Sequence, residues 1–299
     1  MNYIERTNYN HTISIKLVIP GACNAKCSFC YMNDYGDKTV DEKENFSQNY
    51  LQSLNNVISK IGTKNPVSLD ITGNEPTFNA EFFKNVLMQL KEDHIKEKIQ
   101  RITLTTNGFH LKEIIPYLGG VVDYVNISVH DYRLEERKSI MGFKTFTDEE
   151  YSKLIRELNK VGITVSAVAV VHKEIKDFPG WFDKFTDWCK KIGFISLRIR
   201  CDVFWNQKEL FDGYMEYGLN HKDYTVITHE NTTDSHWCRL RRYDKFRVFF
   251  LKPVRDTSIL TKGIEYVISD DGICYCDFYK NTKLEDYKYE VGKIYDHQA

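Results

Sequence analysis

Apolar positions recur along the first two-thirds of the chain in two alternating rhythms. Short runs rich in Val, Ile and Leu occupy residues 14–19, 67–72, 102–106, 124–129, 163–171 and 194–200. Runs of this length and composition predict strands buried on both faces. Between them the apolar period lengthens to that of a helix. Residues 48–60 carry Leu51, Leu54, Val57 and Ile58 on one stripe, and helices are predicted over 81–90, 111–118, 148–161 and 181–192. Gly162 and Gly193 stand where helix C-caps are expected. Thr147, ahead of Asp148 and Glu149, reads as an N-cap with an acidic first turn.

Six strand-then-helix units in succession predict parallel strands joined by right-handed crossovers. An open doubly wound sheet and a barrel, full or partial, both satisfy this order. After about residue 201 the rhythm changes. Residues 224–229, 246–251, 264–268 and 273–278 predict short strands without intervening helices. The expected division is a barrel over 1–201 and a smaller, β-rich C-terminal region over 202–299 that caps it.

Composition narrows the class. The 299 residues are 42% hydrophobic and 28% charged, ordinary for one or two globular domains. The 41 basic and 42 acidic residues give a net charge of −1, so no global field argues for nucleic acid. The most apolar run, 165–171, falls far short of the roughly 20 residues of a membrane span. The opening MNYIERTNYNHT has no apolar signal region. A cytoplasmic protein is expected, with its eight cysteines as thiols rather than disulfides.

Three of those thiols fall directly after the first strand. Cys23, Cys27 and Cys30 lie in GACNAKCSFC at C-x3-C-x2-C spacing. Such a loop can turn three thiolates toward one point, and thiolates are the ligands of iron–sulfur clusters. A structural zinc site is the alternative, but it wants four ligands, and no other His or Cys lies close by. Three cysteines would leave one cluster iron open. In a parallel barrel, function sits in the loops at the C-terminal strand ends. The second strand ends in Gly73-Asn74-Glu75-Pro76-Thr77, where glycine permits close backbone approach and Glu75 offers a carboxylate to an ammonium group. The third ends in Thr105-Thr106-Asn107-Gly108 and the fourth in Asn126-Ile127-Ser128-Val129-His130.

From Thr12 to Cys201 the chain resembles the radical S-adenosylmethionine (SAM) superfamily. The cysteine motif with Phe29 before its last cysteine, and GNEPT in place of that family's GGEP, carry the likeness. Thr-Thr-Asn-Gly and Asn-Ile-Ser are similar to the third and fourth strands of its molybdenum-cofactor cyclase branch. Asn74 stands where the family usually has glycine. The resemblance implies a partial (β/α)6 TIM-like barrel. It implies that Cys23, Cys27 and Cys30 bind a [4Fe–4S] cluster whose open iron takes the amino and carboxylate groups of SAM. One electron, from a donor such as flavodoxin or ferredoxin, would split the sulfonium into methionine and a 5′-deoxyadenosyl radical that abstracts hydrogen. Gly73, Asn74, Glu75 and Pro76 would line the methionine amino group. Asn107 and Ser128 would reach its carboxylate or the ribose, and Phe29 would lie near adenine.

Further candidates follow from position. His130 and Asp131, His172 and Lys173, and Arg200 and Cys201 close the fourth, fifth and sixth strands. They read either as solvated loop residues or as substrate contacts. Arg198 and Arg200, two apart, share a strand face, and such a pair facing inward calls for an anion: a phosphate or carboxylate substrate, or Asp202. Arg200 is thus expected to fix an anionic group. A bend would bring Cys201 to the mouth as a hydrogen-atom donor. Cys238, Cys274 and Cys276 are loosely similar to a cysteine-bearing extension and imply a possible second iron–sulfur cluster, with three free thiols as the alternative. Cys189 reads as a small core residue. Residues 236–256 hold seven Lys or Arg among aromatics. They read as a strand with inward rings, and otherwise as a binder of phosphates, nucleic acid or acidic peptide.

The favoured function is a radical enzyme acting on a small, anionic substrate. The alternatives are a peptide- or protein-modifying radical enzyme, and a non-catalytic iron–sulfur or zinc protein of redox or nucleic-acid-binding type. With 13 residues ahead of the first predicted strand, no N-terminal leader-peptide domain is expected.

Overall fold

In the computed structural model, six parallel strands lie side by side in chain order. They are β1 (Ile13–Ile19), β2 (Val67–Gly73), β3 (Arg101–Thr106), β4 (Tyr124–Ser128), β5 (Thr164–Val170) and β6 (Ser196–Arg200). The structure describes residues 13–19, 21–30, 46–61, 66–92, 95–172, 175, 177–202, 207–231, 236–252, 265–268 and 274–275. Each of the six strands falls within two residues of its expected bounds. The connecting helices are α1 (Phe46–Ile61), α2 (Ala80–Glu92) with the short α3 (Ile95–Lys98), α4 (Leu111–Leu118), α5 (Leu134–Met141), α6 (Asp148–Lys160) and α7 (Phe178–Ile192). The cap read at Thr147 is present as a full capping box with Glu150.

Strands in sequential order with right-handed crossovers must carry their helices on one side. The side chains show this. Ile15 and Leu17, Leu69 and Ile71, Leu104, Val125 and Ile127, Ala167 and Ala169, and Leu197 and Ile199 all enter one core with the helices. Their alternates are mostly polar: Lys16 pairs in register with Asp70, Asp70 with Thr103, and Asn126 with Ser166. A sheet apolar on the helix face and polar on the other is the wall of a partial barrel, not a doubly wound sheet covered on both faces.

The C-terminal strands extend this same sheet. After α8 (Lys208–Leu219), the strands β7 (Tyr224–Asn231), β8 (His236–Arg242) and β9 (Arg247–Lys252) form an antiparallel meander, and β9 pairs parallel with β6. At the other edge β10 (Glu265–Ile268) pairs parallel with β1 and antiparallel with β11 (Cys274–Tyr275). The helix α8 between β6 and β7 adds to the expected elements, and the later strands, with no helix among the described residues between them, prolong both sheet edges. Unpaired strand edges need covering, and β9 and β10 supply it. No helix among the described residues is long and apolar enough to cross a membrane.

Candidate active site

The loop from Gly21 to Cys30 is held on three sides. Asn74 Nδ2 donates to Gly21 O at 2.6 Å. Asn107 Nδ2 donates to Asn24 Oδ1 at 2.6 Å and lies 3.9 Å from Cys23 Sγ. On the third side Lys26 N donates to Met141 O at 2.8 Å, at the end of α5. The loop also folds on itself, with Ala25 N donating to Cys23 Sγ at 3.3 Å and Cys30 N to Cys27 O at 3.0 Å.

The three thiols are half-buried. Burial pushes Cys23 up to about 11, with the Glu75 and Cys30 charges adding, and Cys27 up to about 12, with Cys30 and Cys23 adding. The thiols therefore sense one another. Among the described residues, no three His, Cys, Asp or Glu side chains are gathered closely enough to hold a metal ion. The donor set nonetheless fits an iron–sulfur centre. Three thiols on one short braced loop are costly to ionise alone, and a bound metal reverses that cost by ionising the thiol outright.

The loop after β2 explains its own residues. Gly73 has φ 142°, and a Cβ there would stand 2.3 Å from Ile19 O. Only glycine lets β2 end so close to the start of the cysteine loop. Glu75 is buried, and its Oε1 accepts from Thr77 N at 3.1 Å, Thr77 Oγ1 at 2.6 Å and Thr106 Oγ1 at 2.5 Å. Its Oε2 accepts from Asn107 N at 2.6 Å. The carboxylate faces four protein donors and locks the loops after β2 and β3 together. Asn107 Oδ1 likewise accepts from Phe109 N at 3.0 Å. Thr77, Thr106 and Asn24 were not singled out by the sequence, although the first two flank residues that were.

Ser128 ends β4 on the face away from the helices, in register with Val168. Phe29 packs edge-on to His130, ring centres 4.8 Å apart, and stacks near His172 at 6.4 Å. His130 is neither solvated nor free. It is buried with φ 67°, its Nδ1 accepts from Val170 N at 3.2 Å, and burial followed by His172 holds its pKa down to about 3. Asp131 is also buried, bound by Arg133 Nη2 at 2.9 Å and Trp181 Nε1 at 2.9 Å. Lys173 lies outside the described residues.

Arg198 and Arg200 occupy the non-helix face of β6, since Leu197 and Ile199 enter the core. The Arg198 guanidinium lies 5.0 Å over the Phe249 ring. Cys201 goes the other way. Its N–H still donates to Leu251 O at 3.1 Å, so the strand alternation runs one residue further and the thiol enters the core. Burial lifts it to about 12. The expected bend is absent, and Cys201 does not reach the mouth. Cys238 is likewise a core residue, fully buried opposite Phe250. Eight strands separate its strand, β8, from the β11 strand of Cys274 in the sheet order. Of the three cysteines expected at a second cluster, Cys238 is thus in the core, Cys274 is in β11 and Cys276 lies outside the described residues. Cys189 is buried in the core, as expected.

The comparisons with known proteins agree with this geometry. The radical SAM superfamily model matches residues 17–179. The GTP 3′,8-cyclase of Mannheimia succiniciproducens is 26% identical over 204 residues, covering 66% of this chain and 57% of its own. A probable GTP 3′,8-cyclase of Sulfolobus acidocaldarius is 30% identical over 152 residues, covering 50% and 44%. The chain thus spans about half the length of the curated relatives it matches. Among solved structures, Streptococcus suis SuiB bound to S-adenosylmethionine superposes with a TM-score of 0.61 at 16% identity, over 96% of this chain and 64% of that one. Native anSMEcpe with bound AdoMet and Cp18Cys peptide gives 0.54 at 17% identity, over 96% and 80%. At such identities these two show the shared fold, a partial barrel. The family match covers more than half of the chain, and the chain belongs to the radical SAM superfamily.

Proposed function

We propose that Cys23, Cys27 and Cys30 hold a [4Fe–4S] cluster, that SAM binds beside it, and that the enzyme abstracts hydrogen from a small anionic substrate on the inner barrel face. The observation that carries this reading is the joining of the cysteine loop to the next two mouth loops through Asn74–Gly21 and Asn107–Asn24. When bound, the cluster and SAM together supply the reductive cleavage and the hydrogen abstraction. The chain supplies orientation. Gly73, Asn74, Glu75 and Pro76 would line the methionine amino group, with Glu75 held in place by its protein donors. Ser128 and Phe29 border the same mouth. Arg198 and Arg200 stand on the polar face below it and would fix a phosphate or carboxylate bidentately.

An acidic residue of a peptide would satisfy the same arginines. The neighbour SuiB has been solved with its precursor peptide SuiA, which keeps the peptide-modifying reading as the second one. A one-electron donor of flavodoxin or ferredoxin type completes the system.

Anaerobic reconstitution tests the reading. About four irons per chain and 5′-deoxyadenosine on reduction are expected. Replacing Cys23, Cys27 and Cys30 with Ala should abolish both, and retained SAM cleavage in that variant would sink the assignment. Arg200→Ala should keep uncoupled cleavage but lose product. GTP and acidic peptides offered separately will show which one stimulates SAM turnover.

A further inference from the structure

The C-terminal meander carries its arginines on one face. Cys238 and Leu240 of β8 and Val248 and Phe250 of β9 enter the core, so Arg239, Arg241, Arg247 and Phe249 take the face away from the helices. In the register Arg239 stands beside Phe249, and Phe249 beside Arg198. Arg241 stands directly opposite Arg247. Like charges directly opposite on a ladder are destabilising, and Arg247 forms no ion pair among the described residues. Arg239 is half-buried, and its Nε is buried without an acceptor. Its Nη2 reaches across to Thr228 Oγ1 of β7 at 3.5 Å. This face offers an anion more donors than the fold itself uses.

Beside the arginines lies an open strand edge. β7 ends the sheet order, paired with β8 on one side and with no strand on the other among the described residues. The strand at the opposite end, β11, has two residues and offers little edge. β7 has eight, and from Tyr224 to Thr228 it holds no proline and no charge. One irregularity, between Val226 and Thr228, interrupts its ladder. Val226 is 43% exposed. Short strands, prolines and charges protect an edge from added chains, and the middle of β7 has none of the three. Its charges stand at the ends: Lys222 and Asp223 just before the strand, and Glu230 in register with Trp237.

We propose that β7 is the docking edge for an extended peptide with acidic residues at alternate positions, which adds to the sheet as a further strand. Backbone hydrogen bonds to β7 hold the peptide, and its carboxylates meet the arginines of β8. Alternate residues of an extended chain stand about 6.7 Å apart on one face. Arg239 and Arg241 are alternate residues of β8 and share that spacing. Arg239 already leans over Thr228 toward the open edge, and Arg241 is in register with Thr225. Two carboxylates two residues apart thus fall within reach of one guanidinium each. The proposal does not depend on the cysteines holding a cluster.

The test uses the reconstituted protein and the fluorescein-labelled peptide acetyl-Thr-Glu-Val-Glu-Val-Glu-Gly amide, with binding read by anisotropy. The peptide should bind, and its counterpart with Lys for every Glu should not. Two further copies keep the charge and carry N-methyl groups, one at the Val positions and one at the Glu positions. A strand turns the N–H groups of alternate residues toward any one neighbour. One methylated copy should therefore keep its affinity while the other loses roughly tenfold or more. Arg239→Glu should weaken the parent peptide by a similar factor with the melt unchanged. No binding by the wild type, equal affinities of the two methylated copies, or wild-type affinity in Arg239→Glu overturns the docking edge. Tighter binding of an oligothymidylate overturns it in favour of a nucleic acid, and a dimer that Arg239→Glu dissociates overturns it in favour of a second copy of the chain.

Discussion

The Asn74 side chain donates to the Gly21 carbonyl at 2.6 Å across a sequence separation of 53 residues. A residue that departs from its family's usual glycine thus acts as a tie between the loop after β2 and the cysteine loop. Asn74→Ala removes one part-buried hydrogen bond, at a cost of about 1 kcal/mol. The melting temperature should fall by roughly 2–4 °C. Iron retention after reconstitution should fall further than that small change in stability predicts. A melt and an iron assay on the same sample check both.

Gly73→Ala is expected to be severe. The new Cβ meets backbone, which cannot swing away, and φ 142° is strained for any side chain. A loss of roughly 3 kcal/mol follows from overpacking and strain together. Soluble yield and denaturant midpoint measure it. Alanine at the neighbouring exposed Asn79 should cost less, about 1 kcal/mol, because it removes only the Oδ1 that caps α2 by accepting from Phe82 N.

Cys238 and Cys27 should part company in an iron assay. Cys238→Ala leaves a small gap against Phe250, costing roughly 1 kcal/mol, and should leave the iron content unchanged. Cys27→Ala should lower the iron content with little effect on the melt of the metal-free protein. Iron lost from both variants would restore Cys238 as a ligand.

His130 gives the fold a dependence on acid. Its pKa is held down to about 3 in the folded chain by burial and by His172, against 6.5 when unfolded. As pH falls below 6.5 the unfolded chain takes up a proton that the folded chain refuses. Stability therefore declines by up to about 1.4 kcal/mol per pH unit from this group until pH nears 3. His130→Asn keeps a residue tolerant of φ 67° and should remove that share of the slope. Denaturant midpoints at pH 7.5, 6.5 and 5.5 make the comparison.

The barrel was legible because its strands are short apolar runs with few competing signals. β8 was not read as a strand of its own. HWCRLRR alternates arginines with Cys238 and Leu240, and the charge masks a period of two whose apolar half is in the core. α5 went unread because LEERKSIM turns a guanidinium inward. Arg137 is fully buried, donating to Tyr132 O at 2.6 Å and lying 4.9 Å over Trp188. α8 was hidden by Gly213 and Gly218, yet Gly218 is where Phe250 comes too close for a Cβ, at 2.8 Å. In the site, the cysteines and GNEPT were visible as spacing and motif. The jobs of Glu75 and Asn74 were not, because a hydrogen-bond partner 31 or 53 residues away leaves no local pattern. Cys201 was misplaced because a bend was expected where the ladder to β9 continues.

That ladder has a bearing on how the protein can be cut. Five residues of β6 pair with β9, from Ser196 against Arg247 to Arg200 against Leu251. A fragment ending at Cys201 would keep every mouth loop from the cysteines to β6, yet it would bare this whole edge along with the apolar side chains that α8 and β9 cover. Such an edge is a template for pairing with another chain. The catalytic half is therefore not a portable module: transplanted or expressed alone it should self-associate, and any minimal version of this enzyme must carry its C-terminal meander.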